Sequence, residues 1–385
     1  MSSAERSADD VPAIVIGSDI NGLGVVRSLA REGVPVWLVD RDRSNPSMRT
    51  RYGTKLTFES LSGDGLLRSL LDLRGQFATR PVLFLTQEHS VETVSQYRAR
   101  IAEAYRISMP DDDVMRRMMD KATFQALAEE HGFPVPRSVH LAGPQDLGKL
   151  DQLAFPCVLK PTVKTPSYEQ GFKKAYKVEG MGEARDILMR VADAAEMIAQ
   201  EWIEGGDDHI FFSLQYRNAS PRAVASFTGQ KLRSWPPSTG GTASCIPAPD
   251  HHSELSALTD AFFSKTGMIG LCSMEYKQDA RTGRFLMIEP TVGRTDFQEE
   301  IGTLNGVNIP LAAYCGEIGK AFPVSPAQNS SAWSVSDIDR WSSEMQGQPR
   351  AFPAALRRYD ALWRIDDPAP WCYSVLERVK TRLAA

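Results

Sequence analysis

Cysteine is scarce, with five among 385 residues, at positions 157, 245, 272, 315 and 372. The number is odd, the spacing is wide and no Cys-x-x-Cys pair occurs, which disfavours both a disulfide framework and a zinc site. A reducing, cytoplasmic setting is the expectation. Long apolar runs are also lacking: nothing approaches the roughly 20 apolar residues that a bilayer span needs, and residues 1–10 hold no apolar stretch of the signal-peptide kind. That decapeptide reads as a disordered leader. Nor does charge of one sign dominate, because 44 Lys+Arg against 48 Asp+Glu leave a net charge of −4. No overall field would draw the chain onto nucleic acid or an anionic membrane. Internal repeats and low-complexity tracts are missing too. With 42% hydrophobic and 24% charged residues, the composition is that of an ordinary globular protein. At roughly 150 residues per domain it has two to three domains.

The opening segment reads as a βαβ unit. An apolar run, Ala13 to Ile16, leads through a glycine-bearing turn and a helix to Val36–Val39, which ends at Asp40. Glycines in the turn, Gly17-Ser18-Asp19-Ile20-Asn21-Gly22-Leu23-Gly24, would let a backbone approach a pyrophosphate, so an NAD(P)-binding oxidoreductase is one alternative function. Arg27 sits where the third glycine of that fingerprint belongs, which favours a plain βαβ unit with a tight turn. A further strand, Val82 to Thr86, and helical sequence to about Ala104 complete a small doubly wound α/β domain. From Asp120 to His131 the apolar spacing predicts a helix, stopped by Gly132, Pro134 and Pro136. Beyond it, strands are expected at 155–160, 196–202, 210–216, 223–231, 270–277 and 285–289, a strand-rich pattern of α+β type. After about Lys320 the sequence turns to Ser, Pro, Arg and Trp with helical patches, a C-terminal appendage.

One predicted hairpin carries chemistry. Pairing Asp279 with Phe285 leaves a five-residue loop, Ala280 to Arg284, and sets Glu275 directly opposite Glu289. Like charges in that position destabilise a sheet. A hard divalent cation reverses the sign, and two carboxylates suit Mg²⁺ bound together with substrate phosphates. An exposed face neutralised by Lys277 is the plainer alternative. Lys160, at the end of an apolar strand before Pro161, and Lys121, at the start of a helix, are placed to hold phosphates. Lys231 and Arg233 alternate on one strand face, and Arg294 follows Glu289 by five positions. These cations, two carboxylates and no nucleophile–base pair describe phosphoryl transfer.

In order, Asp120-Lys121 with Phe124, His131-Gly132-Phe133-Pro134-Val135-Pro136, Phe155-Pro156-Cys157-Val158-Leu159-Lys160-Pro161, Gln200-Glu201-Trp202-Ile203-Glu204-Gly205, Met274-Glu275 and Ile288-Glu289 resemble an ATP-grasp enzyme over residues 12 to 320. The stretch Ser226 to Arg233, with Trp235-Pro236-Pro237 and Gly240-Gly241-Thr242, resembles a carboxylate–amine ligase branch. The resemblance implies a Rossmann-like pre-ATP-grasp domain (11–118), an ATP-grasp lid (119–205), a core with the metal-binding hairpin (206–322) and the appendage (323–385), with nucleotide between the two ATP-grasp subdomains.

It also implies roles. Lys121 and Lys160 would hold ATP phosphates, Glu201 and the backbone at Trp202 and Ile203 would read adenine, and Asp208 would hold the ribose. Glu275 and Glu289 would bind Mg²⁺. Lys231, Arg233 and Arg294 would neutralise the γ-phosphate and an acyl phosphate. The implied activity is ADP-forming ligation of a carboxylate, on an amino acid or peptide-like substrate, to an amine, in a homodimer, with no nucleic-acid or membrane partner. Two departures stand out. Thr291 replaces the family's asparagine, which affects a second Mg²⁺, and the loop 165–174 carries Lys173 and Lys174 in place of glycines. A nucleotide-binding ATP-grasp protein without ligase activity is the other alternative.

Overall fold

The computed structural model describes residues 11–163, 166–323 and 330–384. The expected leader 1–10 and Thr165 of the phosphate-covering loop lie outside them.

Three sheets organise the chain. Ala13–Ile16 (β1), Val36–Asp40 (β2), Thr54–Thr57 (β3) and Val82–Leu85 (β4) form a parallel sheet in the order β3-β2-β1-β4. β1 and β4 are buried throughout, as continuous apolar runs in a sheet covered on both faces should be. Helix α1 (Ile20–Ala30) makes the first crossover, and its Asp19 cap accepts a hydrogen bond from the Gly22 amide. A Cβ on Gly22 would lie 1.9 Å from the Gly17 carbonyl oxygen, and one on Gly24 would lie 3.0 Å from Glu300 Cβ. The glycines of this turn therefore serve close packing. Asp40, whose position reads ribose in dinucleotide folds, accepts hydrogen bonds from both the Ser18 amide and hydroxyl. Arg27, at the missing glycine position, is fully buried against Asp367, 2.9 Å away.

Ser138–Leu141 (β5), Cys157–Pro161 (β6), Tyr176–Val178 (β7) and Met197–Glu201 (β8) form an antiparallel sheet in the order β5-β8-β6-β7. The helix Met181–Val191 packs Ala184, Ile187 and Leu188 onto it. The helix Lys121–Glu130 precedes this sheet, with the Asp120 carboxylate capping the Thr123 amide.

The third sheet has seven strands: Ile210–Arg217 (β9), Ala225–Trp235 (β10), Gly241–Pro247 (β11), Gly270–Gln278 (β12), Phe285–Val292 (β13), Ser331–Ser334 (β14) and Arg357–Asp360 (β15). Their order is β13-β12-β9-β10-β11-β14-β15. The C-terminal segment thus contributes helices at Ser336–Gln346 and Ala369–Ala384 and also two strands to the main sheet. It then returns to the first domain, where Asp367 accepts from Arg27 Nε, Thr50 Oγ1 and the Arg51 amide. Among the described residues no helix is long and apolar enough to cross a membrane.

The β12–β13 hairpin sets Glu275 opposite Glu289, with a register that changes beside them. From the turn the pairs run Gln278–Phe285, Lys277–Leu286 and Tyr276–Met287; the next pair is Glu275–Glu289, so Ile288 is an extra residue on β13. The expected pairing of Asp279 with Phe285 is corrected: Gln278 faces Phe285, and the loop spans 279–284. Burial supplies the reason. Phe285 and Met287 are buried on one side, Pro290 and Val292 are buried again, and Ile288 and Glu289 are consecutively half-buried. Met287 and Glu289, two apart, would share a face in a regular strand. The bulge lets Met287 enter the core while Glu289 turns to the cleft.

Candidate active site

Two cavities meet at this glutamate pair. The first is a cleft between the second and third sheets, about 780 Å³ including the part open to solvent, and is lined by Lys121, Lys160, Lys174, Glu201 to Ile203, Lys277 and the two glutamates. The second, of about 1100 Å³, lies between the third sheet and the turn before α1. It shares Lys174, Glu275 and Glu289 with the first and adds Asp19, Asn21, Lys231, Thr291, Arg294 and Asp296.

Lysines surround the carboxylates. Lys121 Nζ lies 3.1 Å from Glu289 Oε1 and Lys174 Nζ lies 3.9 Å from Oε2. Lys231, 2% exposed on β10, donates across β9 to Glu275 Oε2 at 2.6 Å. Burial pushes the Glu275 carboxyl up, but Lys231 and Lys174 outweigh it and hold the group below the ordinary carboxylate range. Burial likewise disfavours the Lys231 ammonium, and Glu275 reverses the balance, so the lysine stays charged above its usual range.

Lys160 behaves differently. Burial lowers its pKa to about 8; Glu289 opposes the shift, and Lys121 and Lys174 add to it. Its ammonium donates to Gln200 Oε1 at 3.0 Å, Gln200 Nε2 donates to Gln125 Oε1 at 2.9 Å, and Gln125 Nε2 donates to the Pro136 carbonyl at 2.7 Å. This relay orients Lys160 from behind. Gln200 and Gln125 were given no role from the sequence, although a polar side chain at the end of the apolar run Met197-Ile198-Ala199 is a visible signal. Lys277, taken above as a possible neutraliser of the glutamates, instead donates to the carbonyls of Gly205 and Gly206 at 2.7 and 2.6 Å. It pins the chain where it passes from the second sheet to the third.

Glu201, Trp202 and Ile203 line the first cavity at the end of β8, and the Lys177 ammonium lies 4.8 Å from the centre of the Trp202 ring. Two expected site residues are not brought in. Asp208 is absent from the lining of both cavities; its carboxylate lies 3.0 Å from His209 Nδ1 on the exposed surface. Arg233 is also absent from both: the helix Ser336–Gln346 lies over that end of β10, and its fully buried Asp339 accepts from Arg233 Nε at 2.6 Å. The alternation with Lys231 could not disclose a partner 106 residues away.

The donor set suits Mg²⁺. Two opposed carboxylates provide hard oxygen ligands, and the lysine ammoniums now beside them satisfy the same demand for positive charge. Among the described residues no group of three or more His, Cys, Asp or Glu forms a cage. Mg²⁺ commonly takes one or two carboxylates and completes its shell with phosphates and water. Thr291, opposite Ser273 on the hairpin, offers a hydroxyl in the second cavity.

No family model matches the chain. It is 26% identical over 317 residues to a D-aspartate ligase of Enterococcus faecium, covering 77% of this chain and 74% of that protein. Its fold is similar to an N5-carboxyaminoimidazole synthetase of Staphylococcus aureus solved with ADP, with TM-score 0.67, 13% identity, and 90% and 91% of the two chains covered. It is also similar to the biotin carboxylase domain of a Hydrogenobacter thermophilus 2-oxoglutarate carboxylase, solved with MgADP and bicarbonate, with TM-score 0.64, 12% identity, and 83% and 73% covered. The chain thus has a fold similar to that of these ADP-binding enzymes and a sequence similar to that of a D-aspartate ligase, as the resemblance to the ATP-grasp carboxylate–amine ligases implies.

Proposed function

We propose that the chain is an ADP-forming, ATP-dependent ligase that activates a small-molecule carboxylate as an acyl phosphate and joins it to an amine, in the cytoplasm. The observation that carries this reading is the position of Glu275 and Glu289 in the walls of both cavities at once. A nucleotide in the first cavity presents its γ-phosphate toward an acid in the second.

Lys121 and Lys160 hold the phosphates as point charges, and Gln200 keeps the Lys160 ammonium aimed. Glu201 and the backbone at Trp202 and Ile203 face the adenine edge. Mg²⁺, held by Glu275 and Glu289, supplies charge neutralisation on the phosphates when bound. Lys231 and Arg294 face the transferring phosphoryl group, where fixed cations stabilise developing charge. A carboxylate oxygen attacks the γ-phosphorus, and the bond to the bridging oxygen breaks as ADP leaves. The amine nitrogen then attacks the acyl carbon, the bond to the phosphate oxygen breaks, and the surplus amine proton passes to water.

A homodimer belongs to the same reading. Its support is the similar biotin carboxylase domain, described as a dimer, and light scattering tests it. The ligase assignment is tested by ADP release with Mg-ATP against pools of amino acids, carboxylic acids and amines, with Glu289→Gln as the blank. Release that depends on one pool and on Glu289 supports it. Tight Mg-ATP binding with no release for any mixture favours the alternative of a nucleotide-binding protein without ligase activity.

A further inference from the structure

The helix Ala369–Ala384 is packed inside out. Tyr373, Ser374 and Glu377 are half-buried on one side of it, whereas Cys372, Leu376 and Val379, spaced i, i+4 and i+7 on the opposite side, are exposed. A surface helix ordinarily buries its apolar stripe. In the segment leading into the helix Ile365 is 89% exposed, and the exposed Trp363 ring lies 5.2 Å from that of Trp371, edge to face.

Positive charge borders this patch. Arg49 and Arg51 are both exposed; the Arg49 guanidinium lies 4.3 Å from the centre of the Tyr373 ring, and Arg51 Nη1 donates to the Asp366 carbonyl at 3.3 Å. The Asp366 carboxylate is taken by Arg31, 3.0 Å away, and neither Arg49 nor Arg51 makes a salt bridge among the described residues. The helix itself holds three basic residues against one acid, Glu377. A second copy docked here across a two-fold axis would set these like charges against each other. A nucleic acid would leave the apolar side chains uncovered. An anionic lipid surface matches both features, because tryptophan and aliphatic side chains enter the headgroup boundary while arginines meet lipid phosphates.

We propose that the face formed by Trp363, Ile365, Trp371, Leu376 and Val379, edged by Arg49 and Arg51, rests on an anionic bilayer surface. Among the described residues no helix can span a membrane, so the chain lies on the surface. The net charge of −4, from which no membrane partner is expected, describes the whole chain, and this face is a local departure from it. The proposal does not depend on the ligase reading.

The test is sedimentation of the full chain with vesicles of phosphatidylcholine alone and of phosphatidylcholine with phosphatidylglycerol at roughly 3:1. Binding is expected to the mixed vesicles only and to weaken as salt is raised. Ile365→Asp and Leu376→Asp should each lower it by about tenfold or more, and so should Arg49→Gln combined with Arg51→Gln. Thermal melts and Mg-ADP affinity, which these surface changes leave unaltered, show that the variants are folded. Binding to neither vesicle, equal binding to both, or binding that survives Ile365→Asp and Leu376→Asp overturns the proposal. So does association of the chain without lipid, read by light scattering and abolished by the same two variants, which would give this face to a second copy.

Discussion

Asn21 and Thr295, 274 positions apart in the chain, exchange two hydrogen bonds: Asn21 Nδ2 donates to the Thr295 carbonyl at 2.9 Å, and Thr295 Oγ1 donates to Asn21 Oδ1 at 2.7 Å. Asn21 Nδ2 also reaches the Thr86 carbonyl at 3.2 Å, and the Thr295 amide donates to Leu85 at 3.3 Å. The carbonyl held by Asn21 is the one that receives Arg294 Nη1. Asn21 is therefore a positioning residue: it fastens the first domain to the segment that orients the arginine.

Asn21→Ala leaves buried carbonyls short of a donor and should cost about 2 kcal/mol, read from denaturant unfolding. The KM for the acid substrate should rise several-fold while that for ATP stays near its wild-type value. A variant that loses stability with both KM values unchanged would reduce Asn21 to a fold residue.

The two glutamates should separate by stability. Glu289→Gln should reduce ADP release by about 10² or more; its partners Lys121 and Lys174 are 11% and 44% exposed and keep solvent. Glu275→Gln strands the buried Lys231 ammonium, a loss of about 3 kcal/mol. Denaturant midpoints that fall equally for the two variants would contradict this difference.

Lys160 makes nucleotide binding sensitive to pH. In the free protein its proton leaves near pH 8, and bound phosphates favour the charged form. Above that value binding must take up a proton, so Mg-ADP affinity should fall by up to about tenfold per pH unit. Stability moves oppositely: between pH 8 and the ordinary lysine range the unfolded chain binds more protons, so the Lys160 contribution rises with pH. Calorimetry in buffers of different ionisation enthalpy reads the proton uptake, and Lys160→Arg should flatten the profile.

Asp367→Ala should be among the most damaging changes outside the cleft. Both it and Arg27 are fully buried, and removing one partner of such a pair costs about 3–5 kcal/mol. Urea unfolding checks the figure; a loss below about 1 kcal/mol would show that the remaining carbonyl contacts of Arg27 suffice.

Elements that bury whole apolar runs were visible in the sequence: β1, β2, β4, β6, β8 and β9 stand within two residues of their expected places. β3, with Thr-Lys-Leu-Thr at a sheet edge, and β15, with Arg-Arg-Tyr-Asp, were not, because edge strands need no apolar face. The opposition of Glu275 and Glu289 was also readable. The change of register beside them was not, since Phe285-Leu286-Met287-Ile288 is apolar at every position and conceals its own phase. Arg233 was expected in the site but lines neither cavity, and Asn21 was overlooked, for a common reason: what each side chain does is decided by partners brought in from elsewhere in the fold.

The extra residue at Ile288 has a consequence for anyone transplanting this hairpin. A straight ribbon counted from the same turn would pair residue 289 with Met274, which is fully buried. One acid would then sit in oil, held neutral by its surroundings, and the other would face the nucleotide alone. Divalency of the site is thus written as an irregularity in counting, and a graft that copies both acids while tidying the strand would lose it.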